Sequence, residues 1–325
     1  MKKILSTLAI AATMTAGAAA ADSGYPDRAI TLVVPYGPGG ASDLAGRALA
    51  ESAKPFLGQP VTVINKPGAG GMNGARSVVE SDADGYTVLL ARVGMALTPA
   101  VNPQATIDWD AYTFLSALEA TPMILAVKGD APYNTVEELL TAIKDSNGAM
   151  SYAASGATAI DGFSTQALLS DAGLDPLTAA TLVPYKGGGA LATALLGGHV
   201  DFLAVSAGSL LPHVESGDMK ALMVYAPARM SKLPDVPTAA ELGYEQAGQV
   251  TGWSALYAPK DLPADVLAKW QDVLGQVATD ETWLTLADRR GSISTVGTVD
   301  MSAYAQEQYE LFNGLAKKFG YLPAE

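Results

Sequence analysis

The chain has no cysteine, only two histidines and fewer basic than acidic residues, and each shortage removes a class of function. Without cysteine there is no disulfide scaffold, no thiolate zinc site, no iron–sulfur cluster and no cysteine nucleophile. The 20 lysines and arginines face 33 aspartates and glutamates, a formal charge of −13 at pH 7. Such an acidic chain is poorly suited to neutralising phosphates, so we expect no nucleic-acid partner.

The sequence also lacks a long hydrophobic run beyond its start. Every apolar stretch is interrupted by glycine, proline or charge before it reaches the ~20 residues needed to span a bilayer. At the start, Lys2 and Lys3 precede an apolar and small-residue segment over 4–20, and the alanines at 18–21 offer cleavage sites. This order is typical of a bacterial secretory signal peptide, so residues 1–21 are predicted to be removed on export. A membrane anchor is the alternative, but serine, threonine and glycine dilute the segment.

The length and apolar content predict two α/β domains. With 325 residues, 49% of them apolar, the chain exceeds the size at which one hydrophobic core usually keeps growing. Short apolar runs alternate with glycine-rich turns and longer helical segments, the rhythm of an α/β fold. Strands are predicted at 29–34, 61–64, 87–90, 124–127, 150–153, 181–184, 200–205, 221–225 and 253–258. Helices are predicted at 42–56, 74–81, 134–146, 161–172, 189–196, from Thr238 onward, and at 264–279, 281–289 and 301–319.

Four glycine-rich turns stand between a predicted strand and the helix that follows it. They cover residues 35–43, 67–74, 155–159 and 184–189. Glycine lets the backbone approach a ligand, and the first N–H groups of a helix have no partner within it and lie at the positive end of its dipole. In open α/β sheets such turns also gather at the edge where ligands bind. Four of them in one chain favour a carboxylate or phosphate ligand.

Motifs for cofactors, metals and catalysis are weak in this chain. No phosphate-binding Gly-x4-Gly-Lys-Ser/Thr occurs, and Asn73 stands where the third glycine of a dinucleotide fingerprint belongs. His199 and His213 show no metal-ligand spacing, and Ser206 lies in only half of a nucleophile elbow. We therefore predict no cofactor, no metal and no catalytic residue. A secreted hydrolase that uses Ser206 or Ser155 is the alternative.

Short motifs follow one another along the chain in a specific order. They are YPDR at 25–28, ITLVVPY at 30–36, PGGASD at 38–43, LGQPV at 57–61, NKPGAGG at 65–71, DGYT at 84–87, SYA at 151–153, VPYKG at 183–187, LGGHVD at 196–201 and LPDVPT at 233–238. Over essentially the whole chain after the predicted signal peptide, this series resembles the periplasmic receptors of tripartite tricarboxylate transporters, the Bug family.

The resemblance implies a type II periplasmic binding protein, with two α/β lobes joined by a hinge and the ligand cleft between them. Residues 22–124 and 252–325 then form lobe 1, and residues 125–251 form lobe 2. The implied function is not enzymatic. A monomeric receptor in the periplasm captures a small organic carboxylate, closes on it and delivers it to the membrane subunits of the transporter. A binding protein that feeds a sensor kinase is the alternative within the same fold.

The resemblance also implies where the ligand binds. Family members hold a carboxylate through backbone N–H groups in the loop after the first strand and in the second lobe, here residues 36–43 and 155–159. Two further residues outside these loops, Arg92 and Ser206, depart from the family pattern and are added to the site. The predicted ligand-binding residues are then Tyr36, Gly39, Gly40, Ala41, Ser42, Asp43, Arg92, Ser155, Gly156, Thr158, Ala159 and Ser206.

These two departures, and a third in the loop 155–162, concern the chemistry of the ligand. In that loop Thr158, Ala159 and Gly162 occupy the places where relatives often carry Gly-Ser and, three residues later, a histidine, so the side-chain hydrogen bonding there must differ. Many relatives have a small polar pair where Arg92 follows the third strand, and the arginine fork suits bidentate binding of a distal carboxylate or, alternatively, an ion pair. Ser206 stands where relatives often have an aspartate, which makes an amine ligand less favoured. Asp43 is a ligand residue or a helix N-cap, and Tyr36 and Trp253 flank the ligand or pack at the hinge. Dicarboxylates, tricarboxylates and aromatic acids all fit such a site.

Overall fold

The computed structural model describes residues 24–323, so the predicted signal peptide lies outside the described residues. Strands and helices alternate along this part of the chain. The strands are β1 (Ile30–Val34), β2 (Val61–Asn65), β3 (Thr87–Arg92), β4 (Tyr112–Thr121), β5 (Met123–Lys128), β6 (Ser151–Ala154), β7 (Thr181–Pro184), β8 (Phe202–Ser206), β9 (Met219–Tyr225), β10 (Gly252–Pro259) and β11 (Ile293–Ser294). The helices are α1 (Ala41–Leu57), α2 (Met72–Val79), α3 (Gly94–Val101), α4 (Val136–Asp145), α5 (Ile160–Asp171), α6 (Gly188–Leu196), α7 (Ala207–Glu215), α8 (Glu245–Gln249), α9 (Ala264–Val277), α10 (Glu281–Arg289) and α11 (Met301–Lys318). Within residues 24–323, no helix has the length and apolar content needed to cross a membrane.

The strands form two sheets, and each sheet is the centre of one lobe. Lobe 1 contains the six-stranded sheet β11-β4-β10-β3-β1-β2, and lobe 2 contains the five-stranded sheet β7-β6-β8-β5-β9. In lobe 1, β1 runs parallel to β2 and β3, while β10 runs antiparallel to β3 and β4. The chain passes to lobe 2 at Pro122, between β4 and β5, and returns at Val250 and Thr251, just before β10. This two-lobe α/β arrangement confirms the predicted fold class.

The central strands are covered on both faces, which explains their nearly continuous apolar sequences. All eight residues of β10 are buried. Along β1, Leu32 and Val34 pack in one apolar cluster, whereas Val33 between them packs in another. Because successive side chains of a strand point to opposite faces, each face of this sheet has its own core.

Four elements of the structure are missing from the sequence prediction, namely β4, α3, α7 and the two-residue strand β11. β4 places Ser116, Glu119 and Thr121 at buried positions, so its sequence lacks the apolar run that marks the other central strands. α3 and α7 are short, and each contains an internal proline, Pro99 and Pro212. Proline usually ends a helix, so a prediction based on sequence pattern does not find these two short helices.

The helix predicted to begin at Thr238 is wrong. Thr238 forms a β-bridge with Val224. Thr238 and Glu241 also exchange two hydrogen bonds: the N–H of Glu241 donates to Thr238 Oγ1 (3.1 Å), and the N–H of Thr238 donates to Glu241 Oε2 (2.8 Å). This capping box opens only a single turn, because Gly243 has a left-handed φ of 81° and reverses the chain. The short helix α8 then begins at Glu245.

The C-terminal helix α11 contacts both lobes. It packs along α3 of lobe 1, where Asn313 Nδ2 donates to the carbonyl of Ala100 (2.9 Å). Its far end reaches α5 of lobe 2, where the ring centroids of Phe312 and Phe319 each lie 5.9 Å from that of Phe163. The sequence prediction assigns the last helices to lobe 1, and the structure adds this second contact.

Candidate ligand-binding cleft

A cavity of about 980 Å³ lies between the two lobes. Lobe 1 contributes the loop after β1, the ends of β3 and β4, and the turn between α10 and β11. Lobe 2 contributes the loops that follow β6, β7 and β8. Most of these segments follow the carboxyl ends of strands, where open α/β sheets bind their ligands. The volume is at the upper end of the range for small-molecule sites, about 300–1,000 Å³.

Five helices begin at this cavity, α1 and α3 in lobe 1 and α5, α6 and α7 in lobe 2. In these five helices, no side chain at the N-cap position accepts a hydrogen bond from the first helical N–H groups. Elsewhere, α4, α10 and α11 are capped by Thr135, Asp280 and Asp300, whereas α2, α8 and α9 lack a side-chain cap as well. Two first-turn donors at the cavity are already used, because Ala207 N–H donates to the carbonyl of Pro122 (2.8 Å) and Gly162 N–H donates to Asp161 Oδ1 (2.9 Å). The positive dipole ends and the other N-terminal donors of the five helices are suited to an anion.

The loop after β1 brings backbone N–H groups to the cavity. Gly39 has a left-handed φ of 77°, which a residue with a side chain would rarely adopt, and it allows the chain to turn into α1. Gly39, Gly40 and Ala41 are exposed at the cavity, while Ser42 is buried beneath them. The half-buried ring of Tyr36 forms the adjoining wall.

Asp43 supports this loop from behind and is not among the residues that line the cavity. Its carboxylate accepts bonds from Gly39 N–H (2.9 Å), from Arg47 (3.0 Å) and from Asn65 Nδ2 (3.0 Å). The bonds from Arg47, helped by those from Gly39 and Asn65, hold the pKa of Asp43 below its usual value. The structure places Asp43 outside the cavity lining with donors of the protein on its oxygens, and its predicted ligand role stays a prediction. Asp43 is not the N-cap, since that position is Gly40.

The loop after β6 is closed by a buried carboxylate. Asp161 Oδ2 accepts from Ser155 N–H (3.0 Å) and from Ser155 Oγ (2.5 Å). Burial raises the pKa of Asp161, and the bonds from Ser155 oppose that rise. The loop folds so closely over the start of α5 that a Cβ at Gly162 would lie 2.2 Å from the carbonyl oxygen of Gly156. Only glycine fits there, and Gly156, Thr158 and Ala159 of this loop line the cavity.

The loop after β7 is part of the cavity, although the sequence prediction noted it only as a glycine-rich turn. Gly187, Gly188 and Gly189 all line the cavity, and Gly187 has a left-handed φ of 83°. A Cβ at Gly188 would lie 2.2 Å from Ser209 Oγ, so the missing side chain lets α6 start against α7. The glycine run was the available signal for this third loop.

The bottom of the cavity in lobe 1 is polar. We call Arg92, Glu119, Thr121, Arg290 and Ser292 the polar floor. Arg92 Nη2 donates to Thr121 Oγ1 (2.8 Å), and Thr121 Oγ1 lies 3.5 Å from Ser292 Oγ. Arg290 forms an ion pair with Glu119, whose side chain is only 2% exposed. The floor thus joins the ends of β3 and β4 to the turn that precedes β11.

Electrostatics at the floor favour an anion. Burial lowers the pKa of the Arg92 guanidinium, the charge of Glu119 raises it, and the charge of Arg290 lowers it again. An arginine nevertheless remains protonated near neutral pH. Two guanidinium groups therefore share one carboxylate at the floor.

The structure brings the predicted site residues together, with one exception. Those that line the cavity are Tyr36, Gly39, Gly40, Ala41, Ser42, Arg92, Ser155, Gly156, Thr158, Ala159 and Ser206. Asp43 is the exception. Trp253 is buried and donates its Nε1 to Gln308 (3.1 Å), so it packs behind the cavity rather than flanking it. The polar and glycine residues that line the cavity and were missed by sequence reasoning include Glu119, Thr121, Asp161, Gly187, Gly188, Gly189, Ser209, Arg289, Arg290 and Ser292.

The cavity offers binding groups rather than a catalytic arrangement. Neither His199 nor His213 lines it. The hydroxyl of Ser155 donates to Asp161, and that of Ser206 contacts Met123 Sδ (3.6 Å), so neither serine is paired with a histidine as in a Ser-His-Asp triad. Within the described residues, no group of three or more histidine, aspartate and glutamate side chains could hold a metal ion.

Comparisons with known proteins agree with this geometry. The family model described as TctC, tripartite tricarboxylate transporter family receptor, matches residues 45–320. A UPF0065 protein from Agrobacterium vitis, from the TAR-I ttuE-ttuC' intergenic region, is 32% identical over 288 residues, which is 88% of this chain and 81% of that protein. The solved structure of the periplasmic binding protein BugD is 30% identical with a TM-score of 0.78, covering 91% of this chain and 99% of that one. The structure of MatC from Rhodopseudomonas palustris, which holds malate, is 26% identical with a TM-score of 0.77, covering 90% of this chain and 100% of that one.

Proposed function

The chain belongs to the family of tripartite tricarboxylate transporter receptors, and on this basis we propose that it captures a small organic carboxylate and presents it to the membrane subunits of such a transporter. The family consists of periplasmic solute-binding proteins rather than enzymes. In this proposal, residues 1–21 are removed on export and the mature chain works in the periplasm as a monomer.

One observation carries the proposal: helix N-termini without side-chain caps converge from both lobes on a cavity that has arginines at its floor. Each helix N-terminus acts as roughly half a positive charge, and its first N–H groups are directed at the bound anion. The net charge of −13 does not oppose this locally, because exposed charges are screened beyond about 8 Å at physiological ionic strength.

We assign the two ends of the ligand to different parts of the cavity. One carboxylate is bound by the backbone N–H groups of the loops 39–42 and 156–160. Arg92 binds a second, distal carboxylate. Its guanidinium uses one donor for Thr121, forms no ion pair with any described residue, and has further donors free for a ligand. Malate, which the related MatC holds, is an acid of this kind.

Ligand binding closes the two lobes in this proposal. We place the hinge at the two crossings near Pro122 and Thr251, so that lobe 1 comprises 22–121 and 252–325 and lobe 2 comprises 123–250. The boundary predicted at residue 124 lies two residues inside β5 of lobe 2. A ligand that contacts loops of both lobes favours the closed state by its additional contacts there. The membrane subunits would then recognise the closed form.

A thermal-shift screen tests the proposal. The mature protein, from residue 22 onward, is unfolded and refolded to remove any carried ligand, and is then heated with a panel of dicarboxylates, tricarboxylates and aromatic acids. A ligand present at one hundred times its Kd adds about 2.7 kcal/mol to the stability of the folded state, which is easily detected. No stabilisation by any acid, together with stabilisation by sugars or amines, would contradict the proposal.

The Arg92→Ala variant tests the distal carboxylate. Loss of a charge-assisted bond of about 1.5–3 kcal/mol weakens binding by roughly 10- to 100-fold. Arg76→Ala is the matched control, because Arg76 is exposed, donates to Thr106 and lies outside the cavity. If Arg92→Ala binds the acid as tightly as the control does, recognition rests on the backbone loops alone.

A further inference from the structure

Gln166 lies behind the loop 155–159 of lobe 2 and holds one of its carbonyl groups. Its side chain belongs to the second turn of α5 and is only 1% exposed. The amide Nε2 donates to the carbonyl oxygen of Ala157 (3.1 Å). Because a carbonyl oxygen can only accept, the amide of Gln166 must present its NH2 group, and not its oxygen, to this loop.

This hydrogen bond sets the direction of the peptide group between Ala157 and Thr158. That peptide group is planar and trans, so its N–H points opposite to its C=O. Since Gln166 holds the C=O on the side of α5, the N–H of Thr158 points away from α5. Thr158 lines the cavity, and within residues 24–323 its N–H donates to no acceptor. The bond from Gln166 therefore leaves a strong backbone donor available to a ligand.

The same amide group also contacts the C-terminal segment of the chain. Nε2 of Gln166 donates to the hydroxyl of Tyr321 (3.0 Å), which lies three residues beyond the end of α11. The N–H of Tyr321 donates to the carbonyl of Ala316 in α11 (2.8 Å), and its ring centroid lies 5.9 Å from that of Phe163. Because α11 packs on lobe 1, one side chain of lobe 2 joins the ligand loop to a segment that lobe 1 carries.

The two bonds of the amide depend on each other. Its NH2 group has two hydrogens, one for Ala157 and one for Tyr321. Its oxygen, Oε1, is buried and has no hydrogen-bond partner among residues 24–323. The orientation of the amide is therefore set by the two NH2 bonds, and losing the bond to Tyr321 weakens the bond to Ala157.

We propose that Gln166 is a positioning residue for ligand binding and that it couples the loop 155–159 to the C-terminal segment 319–322. The amide of Gln166 aims the N–H of Thr158 at the bound carboxylate, and the hydroxyl of Tyr321 holds that amide in place. Coupling between two contacts is reciprocal, so a ligand bound to the loop also stabilises the contact with Tyr321. This inference rests on the proposed function and adds to it a control of affinity from outside the cavity.

Isothermal titration calorimetry on the ligand-stripped mature protein tests the role of Gln166. The probe is malate, citrate, adipate or benzoate, whichever stabilises the wild type most. Gln166→Met keeps the approximate volume of the side chain and removes the amide, so it should weaken binding about 3- to 10-fold. Tyr321→Phe loses only a hydroxyl group and should weaken binding about 2- to 5-fold, although Tyr321 does not line the cavity.

A double variant distinguishes coupling from two independent losses. Because Tyr321 acts through the amide of Gln166, Gln166→Met combined with Tyr321→Phe should bind the probe only as weakly as Gln166→Met alone. Gln246→Met is the matched control, since Gln246 of lobe 2 accepts from Lys318 Nζ of α11 (2.6 Å) but makes no hydrogen bond to the loop 155–159. This control should lower the melting temperature and keep the affinity within about twofold of the wild type.

Hydrogen exchange measures the same coupling from the C-terminal segment. The amides of Tyr321 and Leu322 both donate to the carbonyl of Ala316, so their exchange reports local opening of this segment. Saturating the wild type with the probe should slow their exchange about 2- to 5-fold, the factor by which Tyr321→Phe weakens binding. In Gln166→Met at equal saturation, this slowing should be absent.

Other results would overturn the role of Gln166. Equal affinity of Gln166→Met and the wild type would do so, as would losses that add in the double variant. Weakening by Gln246→Met as large as that by Gln166→Met would show that affinity depends on the docking of α11 as a whole. If Gln166→Met does not fold, an unchanged affinity of Tyr321→Phe still contradicts the coupling. If none of the acids binds the wild type, the proposed function itself fails.

Discussion

Replacing Phe163 with alanine tests whether the last helix joins the two lobes. Phe163 is fully buried in α5 of lobe 2, and its ring centroid lies 5.9 Å from those of Phe312, Phe319 and Tyr321. All three partners belong to α11 or follow it directly. Removing the Phe163 ring therefore leaves a cavity between lobe 2 and the C-terminal segment.

The expected loss is large. A buried phenylalanine replaced by alanine costs about 3–5 kcal/mol, from lost transfer free energy and from the cavity that remains. At roughly 2–4 °C per kcal/mol for a protein of this size class, the melting temperature should fall by about 6–20 °C. Phe202→Ala is the matched control, because Phe202 is also fully buried but stacks on Tyr152 (5.7 Å) inside lobe 2.

Hydrogen exchange distinguishes the two variants. If about 3 kcal/mol of docking energy is lost, amide exchange in residues 312–322 should quicken by roughly 100-fold in Phe163→Ala. Phe202→Ala should destabilise the protein by a similar amount. In this variant the amides of residues 312–322 should lose protection from exchange no more than the amides of the rest of the chain. Unchanged protection of 312–322 in Phe163→Ala, or an equal local loss in Phe202→Ala, would refute the role of α11 as a connection between the lobes.

Two other substitutions test the loops of the cavity. The pKa of Asp43 is lowered in the folded state from its ordinary value of 3.8, chiefly by the bonds from Arg47, so the stability that Asp43 contributes is present above that pH and is lost as the pH falls through the folded value. In thermal unfolding, the advantage of the wild type over Asp43→Asn should therefore be largest near neutrality and shrink below about pH 4. Gly162→Ala should cost about 1–3 kcal/mol, measured by urea unfolding, because its Cβ meets the carbonyl of Gly156 at 2.2 Å. Gly275→Ala, in an exposed stretch of α9 with open space around the new Cβ, should instead be neutral or stabilise by about 0.5–1 kcal/mol.

The parts of the site that could be predicted are those with a local signal. A glycine run followed by a helix start marks the loops after β1, β6 and β7, and Arg92 follows the apolar run of β3. Each of these features is contained in about ten consecutive residues and depends on backbone freedom and helix termini. The ligand role of Asp43 stays a prediction. Local reasoning did not foresee that its carboxylate also accepts from Asn65, which lies 22 residues further along the chain.

The remaining part of the site depends on contacts between distant segments. Glu119 and Arg290 are 171 residues apart, and neither has a neighbouring motif that reveals the other. A prediction based on sequence pattern does not find β4, because this strand has polar residues at buried positions where the other central strands are apolar. Two of those polar residues, Glu119 and Thr121, line the cavity, so the functional requirement weakens the structural signal.

The amino-acid sequence alone determined the α/β rhythm, the glycine-rich turns before helices, the acidic charge and the series of motifs that resembles the receptor family. These follow from periodicity and from local backbone preferences, which are properties of neighbouring residues. Only the tertiary structure decided that α11 contacts both lobes, that Asp43 supports a loop from behind, and that Arg290 shares the floor with Arg92. Those facts depend on which surfaces meet after folding. Charged side chains that are far apart in the chain interact only when the two sheets and their connecting helices bring them to one cavity.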